Sequence, residues 1–422
     1  MRPTKMKGHP MKIQSVFALS LLSVTISAQA TNGYFRLGYG QNSIAMGSTG
    51  TAMAQDGLAG AVNPATLFSV KDDVTLAVSV FNPQREFTIT GADGSDAVKG
   101  QFPLALGNTE SGSEYFLVPS FAYQQDINAD LAFNVSVYGN GGMNTDYNSP
   151  VFGAGDTGVD LSQLFINTAF AYRLTPSTQV GVAPIIGVQS FEAKGLANFS
   201  PMSNDSDNLT NNGHDTVFGY GARVGIAHQV NANIALGASY QTEINFAKFD
   251  DYAGLFAQGG DFDVPATYNL GVAYDDANLT VALDYQVIQY SDIASVANPL
   301  MPNIMSAPLG SENGAGFGWN DMEIVKLGLA IKGENKNTFR AGVSYGEQPI
   351  DESEVLFNIL APGVQQWHYT AGYEFSLDGT TNYAVSFVYS PSKSVKGANP
   401  LYAQQDIEIE MEQYEVTFAV AF

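Results

Sequence analysis

The feature that most limits this chain is a period of two in its apolar residues, which recurs along the sequence and never gives way to a long unbroken apolar run. From Trp367 to Leu377 the odd positions are Trp367, Tyr369, Ala371, Tyr373, Phe375 and Leu377, whereas the even ones are His368, Thr370, Gly372, Glu374 and Ser376. Successive side chains of an extended strand point to opposite faces, so one face is greasy and the other polar or small. The same alternation runs through Leu131, Phe133, Val135 and Val137, through Leu279, Val281, Leu283, Tyr285 and Val287, and through Tyr383, Val385, Phe387 and Tyr389. Beyond the first thirty residues no stretch of about 20 apolar residues occurs, so spanning helices are absent.

Fourteen such strands are expected, centred near Val78, Phe121, Val135, Thr168, Pro184, Ala222, Ala238, Leu270, Leu283, Leu327, Val343, Tyr373, Phe387 and Phe418. Their connections alternate in length. Short turns at Asp126-Ile127-Asn128, Thr175-Pro176-Ser177, Val230-Asn231-Ala232, Asp275-Asp276-Ala277, Gly333-Glu334-Asn335 and Asp378-Gly379 separate long polar loops, the longest from about 291 to 320. An even strand count with short turns at one end and long loops at the other is the pattern of a bacterial outer-membrane barrel, where closure satisfies every backbone hydrogen bond. The chain also ends on an alternating strand, Tyr414, Val416, Phe418, Val420 and Phe422. A terminal aromatic strand resembles the signal that barrel-assembly machinery reads.

At the other end, Arg2, Lys5, Lys7 and Lys12 precede an apolar stretch from Val16 to Ile26 and then Ala28-Gln29-Ala30. That is the form of a secretory signal peptide over residues 1–30. The full chain has 18 basic and 41 acidic residues, a net charge of -23, which repels phosphate backbones and argues against a nucleic-acid partner. There is no cysteine, so disulfides, thiolate-bound metals and iron–sulfur clusters are excluded. His214, His228 and His368 are far apart in the expected layout, and neither a Ser–His pair nor a clustered ligand set appears; no enzyme, cofactor or metal centre is expected.

Residues 31–72 do not alternate and are rich in Gly, Ala and Asn, which suits a plug packed inside a barrel formed by residues 73–422. Asn32-Gly33-Tyr34-Phe35, the stretch from Ala45-Met46-Gly47 to Asp56, and Asn63-Pro64-Ala65 resemble the hatch of the FadL/TodX family of hydrophobic-compound transporters. Further motifs similar to that family follow in its order: Val118-Pro119-Ser120, Gly142-Met143-Asn144-Thr145-Asp146-Tyr147, Ala238 to Ile244, Pro265 to Gly271, Asp284 with Tyr290-Ser291-Asp292, and Phe339 to Tyr345. The resemblance implies an all-β, fourteen-stranded transmembrane barrel with an N-terminal hatch in its lumen. It further implies passive uptake of long-chain fatty acids or related hydrocarbons, with sideways exit where the third strand is kinked.

Gly139, Gly141 and Gly142 fall where the third strand is expected to finish, and they offer that kink, since glycine inside a strand marks a bulge or a close backbone approach. By parity, Arg223, Lys326 and Arg340 are inward cations that a ligand carboxylate would meet. Asp284 is expected to pair with Lys326 and Glu374 with Arg340, leaving Arg223 without an acidic neighbour and therefore as the leading candidate, an unpaired cation, for the ligand head group. The expected partners are a fatty acid, alkane or aromatic hydrocarbon together with outer-membrane lipid and lipopolysaccharide, the chain acting as a monomer. A general diffusion porin for small polar solutes is the other reading of such a barrel.

Overall fold

The computed structural model describes residues 31–70, 73–333 and 337–422. The expected signal peptide, and part of the expected turn at Gly333-Glu334-Asn335, lie outside these residues. Fourteen strands make up the wall. They are β1 (Asp73–Gly91), β2 (Phe116–Asn128), β3 (Leu131–Tyr147), β4 (Thr157–Thr175), β5 (Thr178–Lys194), β6 (Asp215–Gln229) and β7 (Ile234–Gln241). The second half comprises β8 (Thr267–Asp275), β9 (Leu279–Ile288), β10 (Met322–Lys332), β11 (Thr338–Gly346), β12 (Trp367–Ser376), β13 (Asn382–Ala398) and β14 (Gln405–Ala421). Each expected strand centre falls inside one of them.

Every strand pairs antiparallel with its chain neighbour, and β1 closes the ring on β14, from Thr75 opposite Ala421 to Gly91 opposite Gln405. Two short pieces add to the wall: Gly107–Glu110 pairs with β1 and Asn245–Phe246 with β6. Closure leaves the sheet no terminal edge strand to be satisfied by lipid, which is why alternating strands can span hydrocarbon.

The two faces of each strand separate as the period requires. Leu76, Val78 and Val80 of β1 and Val325, Leu327 and Leu329 of β10 are exposed on the outside, while Thr75, Ser79 and Lys326 are buried on the inside. Aromatic pairs mark both edges of the outer apolar band. Tyr240–Tyr268, Tyr345–Trp367 and Tyr389–Tyr414 lie toward the long-loop end, and Phe133–Phe170, Phe339–Tyr373 and Phe375–Tyr383 toward the short-turn end.

The wall is uneven in height. Strands β1, β3, β4, β5, β13 and β14 have 17 to 19 residues, whereas β7 to β12 have 8 to 11. Loops rising from the low side fold inward, where Phe249, Phe256, Phe262, Tyr290 and Trp319 join one continuous apolar core with Phe191 and Tyr147 of the high side. The expected longest loop is observed between β9 and β10 and carries two short helices, Ala294–Ala297 and Asn303–Ser306.

Residues 31–70 occupy the lumen and are almost entirely buried. They form a short helix, Gln41–Ala45, and two 3₁₀ turns, Gly57–Ala61 and Pro64–Ser69, rather than strands. The wall makes room for them with glycine. A Cβ at Gly225 would land on the Asn63 side-chain oxygen, one at Gly237 on the Thr51 carbonyl and one at Gly342 on the Gly47 amide, so the segment sits directly against the wall backbone where any wall side chain would intrude.

Candidate functional site

The luminal segment is seated by polar contacts along its length. Asn63, fully buried, accepts from the Ala65 amide at 3.0 Å through Oδ1 and donates through Nδ2 to Thr51 O at 2.7 Å and Ile226 O of β6 at 3.1 Å. Pro64 follows at the first position of the turn, where its missing N–H costs nothing. Asn63-Pro64-Ala65 is therefore a helix-cap device that also pins the segment to the wall.

Charged groups hold the remainder. Arg36 of the segment forms an ion pair with Glu415 of β14 at 2.6 Å and donates to Ser79 Oγ of β1, with both charged side chains buried. Arg340 pairs with Glu374 at 2.9 Å, and Glu374 also accepts from Asn42 at 2.6 Å. The expected Asp284–Lys326 pair is not formed, although the two residues stand directly opposite each other on β9 and β10. Asp284 Oδ2 accepts instead from the Gly50 and Thr51 amides at 2.8 and 2.9 Å, and Lys326 Nζ donates to Leu37 O at 3.3 Å. Two unpaired amides of an irregular segment offer a fixed carboxylate cradle that one mobile ammonium does not match.

Arg223 also departs from expectation. Its guanidinium meets no acid among the described residues, as expected, but it is not free for a ligand, because it donates to Ala61 O of the segment and to Gln241 Oε1 of β7. Arg223 thus ties the segment to the wall.

At β3 the wall opens. Pairing of β2 with β3 runs from the turn only as far as Phe121 opposite Val137, whereas β2 continues to pair with β1 up to Phe116. The register of β3 on β4 slips between Gly139 and Gly141, which makes Asn140 the extra residue of a bulge. Above Val137 the edge of β3 is taken over by the luminal segment: Arg36 N donates to Asn140 O and Gly142 N to Tyr34 O, both at 2.8 Å. Gly141 has to lack a side chain, since a Cβ there would coincide with the Tyr34 carbonyl. Higher still, the Gly112 amide donates to Asp146 O, and Arg85 of β1 reaches Asn144 O and Ser113 O. The result is a window bounded by β2, β3 and this lintel, filled by Tyr34, Phe35 and Arg36.

Aromatic rings surround that filling. The Tyr34 ring lies 5.1 Å from Tyr290, 5.5 Å from Phe35 and 5.8 Å from both Trp319 and Phe262. The Tyr290 hydroxyl donates to Asn32 O at 2.5 Å, and the Tyr34 hydroxyl to Asp263 O at 3.4 Å. In the same loop, burial pushes the Asp263 carboxyl up to about 7, with the adjacent Glu243 adding to the rise. The histidines stand apart: His214 is beside Asp160, His228 is bonded to Thr178 at the short-turn end, and His368 is buried on the inner face of β12.

The profile of the family described as outer membrane protein transport protein (OMPP1/FadL/TodX) matches residues 23–422. The chain belongs to this family. As a member it is an outer-membrane transport protein of the Gram-negative cell envelope. Curated relatives include a protein named long-chain fatty acid transport protein from Salmonella typhi, 21% identical over 429 residues, which cover 91% of this chain and 94% of the relative. Its namesake from Escherichia coli strain K12 is 21% identical over 435 residues, covering 91% and 95%. Among solved folds, the P. putida toluene transporter TodX superposes with a TM-score of 0.68 at 17% identity, covering 91% of this chain and 98% of its own. A Pseudomonas aeruginosa FadL homologue gives 0.66 at 14% identity, covering 92% and 98%.

Sequence reasoning missed Asn140 and the Arg36–Glu415 pair. The flanking Gly139 and Gly141 marked the neighbourhood of the first but not the residue itself, which the register with β4 selects; the second carried no signal.

Proposed function

We propose that the protein takes hydrophobic small molecules into the outer membrane passively, that residues 31–70 are its movable hatch, and that the ligand leaves sideways through the window between β2 and β3. The observation that carries this reading is the unpaired upper edge of β3, covered by hatch residues and not by another strand. A lipid-soluble molecule gains nothing from being delivered to water. A gap in the wall releases it directly into hydrocarbon, where its apolar surface stays covered. The family of transport proteins supports this reading over a general porin, and no chemical step is assigned to it.

The relatives' names supply the candidate substrates, a long-chain fatty acid or an aromatic hydrocarbon. For a ligand with a carboxylate, Lys326 is the best-placed of the three inward cations. Its ammonium has three donors and uses one, and the polar atoms of Ser344 and His368, which follow it across β11 and β12, have no partner among the described residues. Arg340 is committed to Glu374 and Arg223 to neutral acceptors. The protein acts as a monomer set in outer-membrane lipid and lipopolysaccharide.

A disulfide staple tests the exit route. A Cβ at Gly139 would sit 3.0 Å from the Val118 side chain across the gap, and the chain has no native cysteine. Oxidised Val118→Cys/Gly139→Cys should lose more than about tenfold in uptake of labelled oleate or toluene and recover with reductant. Full uptake in the oxidised form would remove the lateral route.

A further inference from the structure

We propose that Asn140 is the positioning residue that couples the hatch to the window: its side chain and carbonyl sense whether residues 36–39 are seated, and hold the bulge of β3 in its present shape when they are. This deepens the exit reading and rests on it.

A bulge leaves its extra residue without a ladder partner, and in a barrel wall such a residue has no reason to be saturated from the lumen side. Asn140 is saturated there. Fully buried, it donates from Nδ2 to Gln163 Oε1 of β4 at 2.9 Å and accepts at Oδ1 from the Tyr39 hydroxyl at 2.6 Å, while its carbonyl accepts from the Arg36 amide at 2.8 Å. The Tyr39 ring also packs on Tyr138, one residue before the kink, with centroids 4.5 Å apart. Arg36 then reaches Glu415. A continuous chain of bonds therefore runs from β4 through Asn140 and the hatch to β14, passing behind the window.

Two of the three bonds at Asn140 come from residues 36 and 39. Displacing that stretch breaks both together and leaves two buried acceptors unmet, so seating of the hatch and shape of the bulge form one two-state element. Asparagine is required because one side chain must donate to Gln163 and accept from Tyr39. Aspartate cannot donate, and alanine does neither. Gly139 and Gly141 on either side let the backbone follow.

Hydrogen–deuterium exchange of the full protein in detergent or bilayer decides the matter. Asn140→Ala should speed exchange of amides 35–39 roughly tenfold, the effect of about 1.4 kcal/mol, without changing amides of β4 and β5. Tyr39→Phe keeps the ring and removes only the hydroxyl; it should give part of the same acceleration, and the double variant should exchange no faster than Asn140→Ala alone. Unchanged exchange at 35–39, a uniform rise through β3 to β5, or strict additivity of the two changes would each overturn the coupling. Uptake is measured in parallel. Wild-type protein that moved neither oleate nor toluene would sink the transport reading while leaving the exchange result to judge Asn140.

Discussion

The seam that closes the ring, β1 on β14, and the seam between β2 and β3 are two strands apart, yet only the first is paired along its whole height. It carries 17 opposed residue pairs from Thr75–Ala421 to Gly91–Gln405, while β2 and β3 share seven and part company above Val137. Side chains explain the contrast. The closing seam alternates without interruption, with Phe81, Phe87 and Ile89 facing Glu415, Ile409 and Ile407. On β3 the alternation stops at Gly139, and three glycines in four residues leave nothing to hold a strand flat while leaving room for another backbone. A wall of uniform hydrogen bonding is thus opened at one place by subtracting side chains, and the vacated edge is satisfied by the chain's own N-terminal segment.

The strongest way to break this contrast is to remove the substitute partner. Deletion of residues 31–70 should leave a folded, heat-modifiable barrel, because the β1–β14 seam is untouched, but should convert it from almost nonconducting to openly conducting in planar bilayers and abolish selective uptake. A mutant that stayed closed would show that the loops alone seal the lumen. Next in size is the staple at Val118 and Gly139, sharpened by a control at the complete seam. Oxidised Val78→Cys/Phe418→Cys, which joins facing residues of β1 and β14, should leave uptake unchanged.

A smaller effect is expected inside the lumen, away from both seams. Lys326→Met should weaken oleate binding roughly 10- to 100-fold while leaving toluene binding within twofold, the loss of one charge-assisted bond of about 1.5–3 kcal/mol. Equal losses for both ligands would assign the lysine to packing. The smallest effect concerns the loop that clasps the tip of the window filling. Because the folded-state value of Asp263 is raised to about 7, its contribution to the fold is fully present at acid pH and is lost as pH rises through about 7. The protection factors of amides 34–36, which divide out the base-catalysed intrinsic rate, should therefore fall modestly from pH 6 to pH 8, and Asp263→Asn should flatten that fall.

How far each of these features was legible depended on its range in sequence. Alternation is a local property, so all fourteen strands were readable, as was the segment that does not alternate. Gly139, Gly141 and Gly142 were visible by composition. Which residue becomes the bulge depends on the register with β4, and nothing within β3 singles out Asn140 as the extra one. Parity correctly set Asp284 opposite Lys326, but the choice of partner fell to amides of Gly50 and Thr51, in a stretch whose path has no periodicity to extrapolate. Arg36 and Glu415 are separated by 379 residues, and only the closed ring brings them together.

That last contact bears on the order of events during assembly. Arg36 touches β14 through Glu415 and β1 through Ser79, the first and last strands of the wall, which become neighbours only when the ring shuts. In an open sheet the two acceptors are thirteen strands apart, and no conformation of the segment reaches both. Threading the segment in afterwards would also require it to pass wall positions with no clearance. The clasp therefore marks the moment of closure, and a barrel that has completed its last seam around residues 31–70 is born already shut.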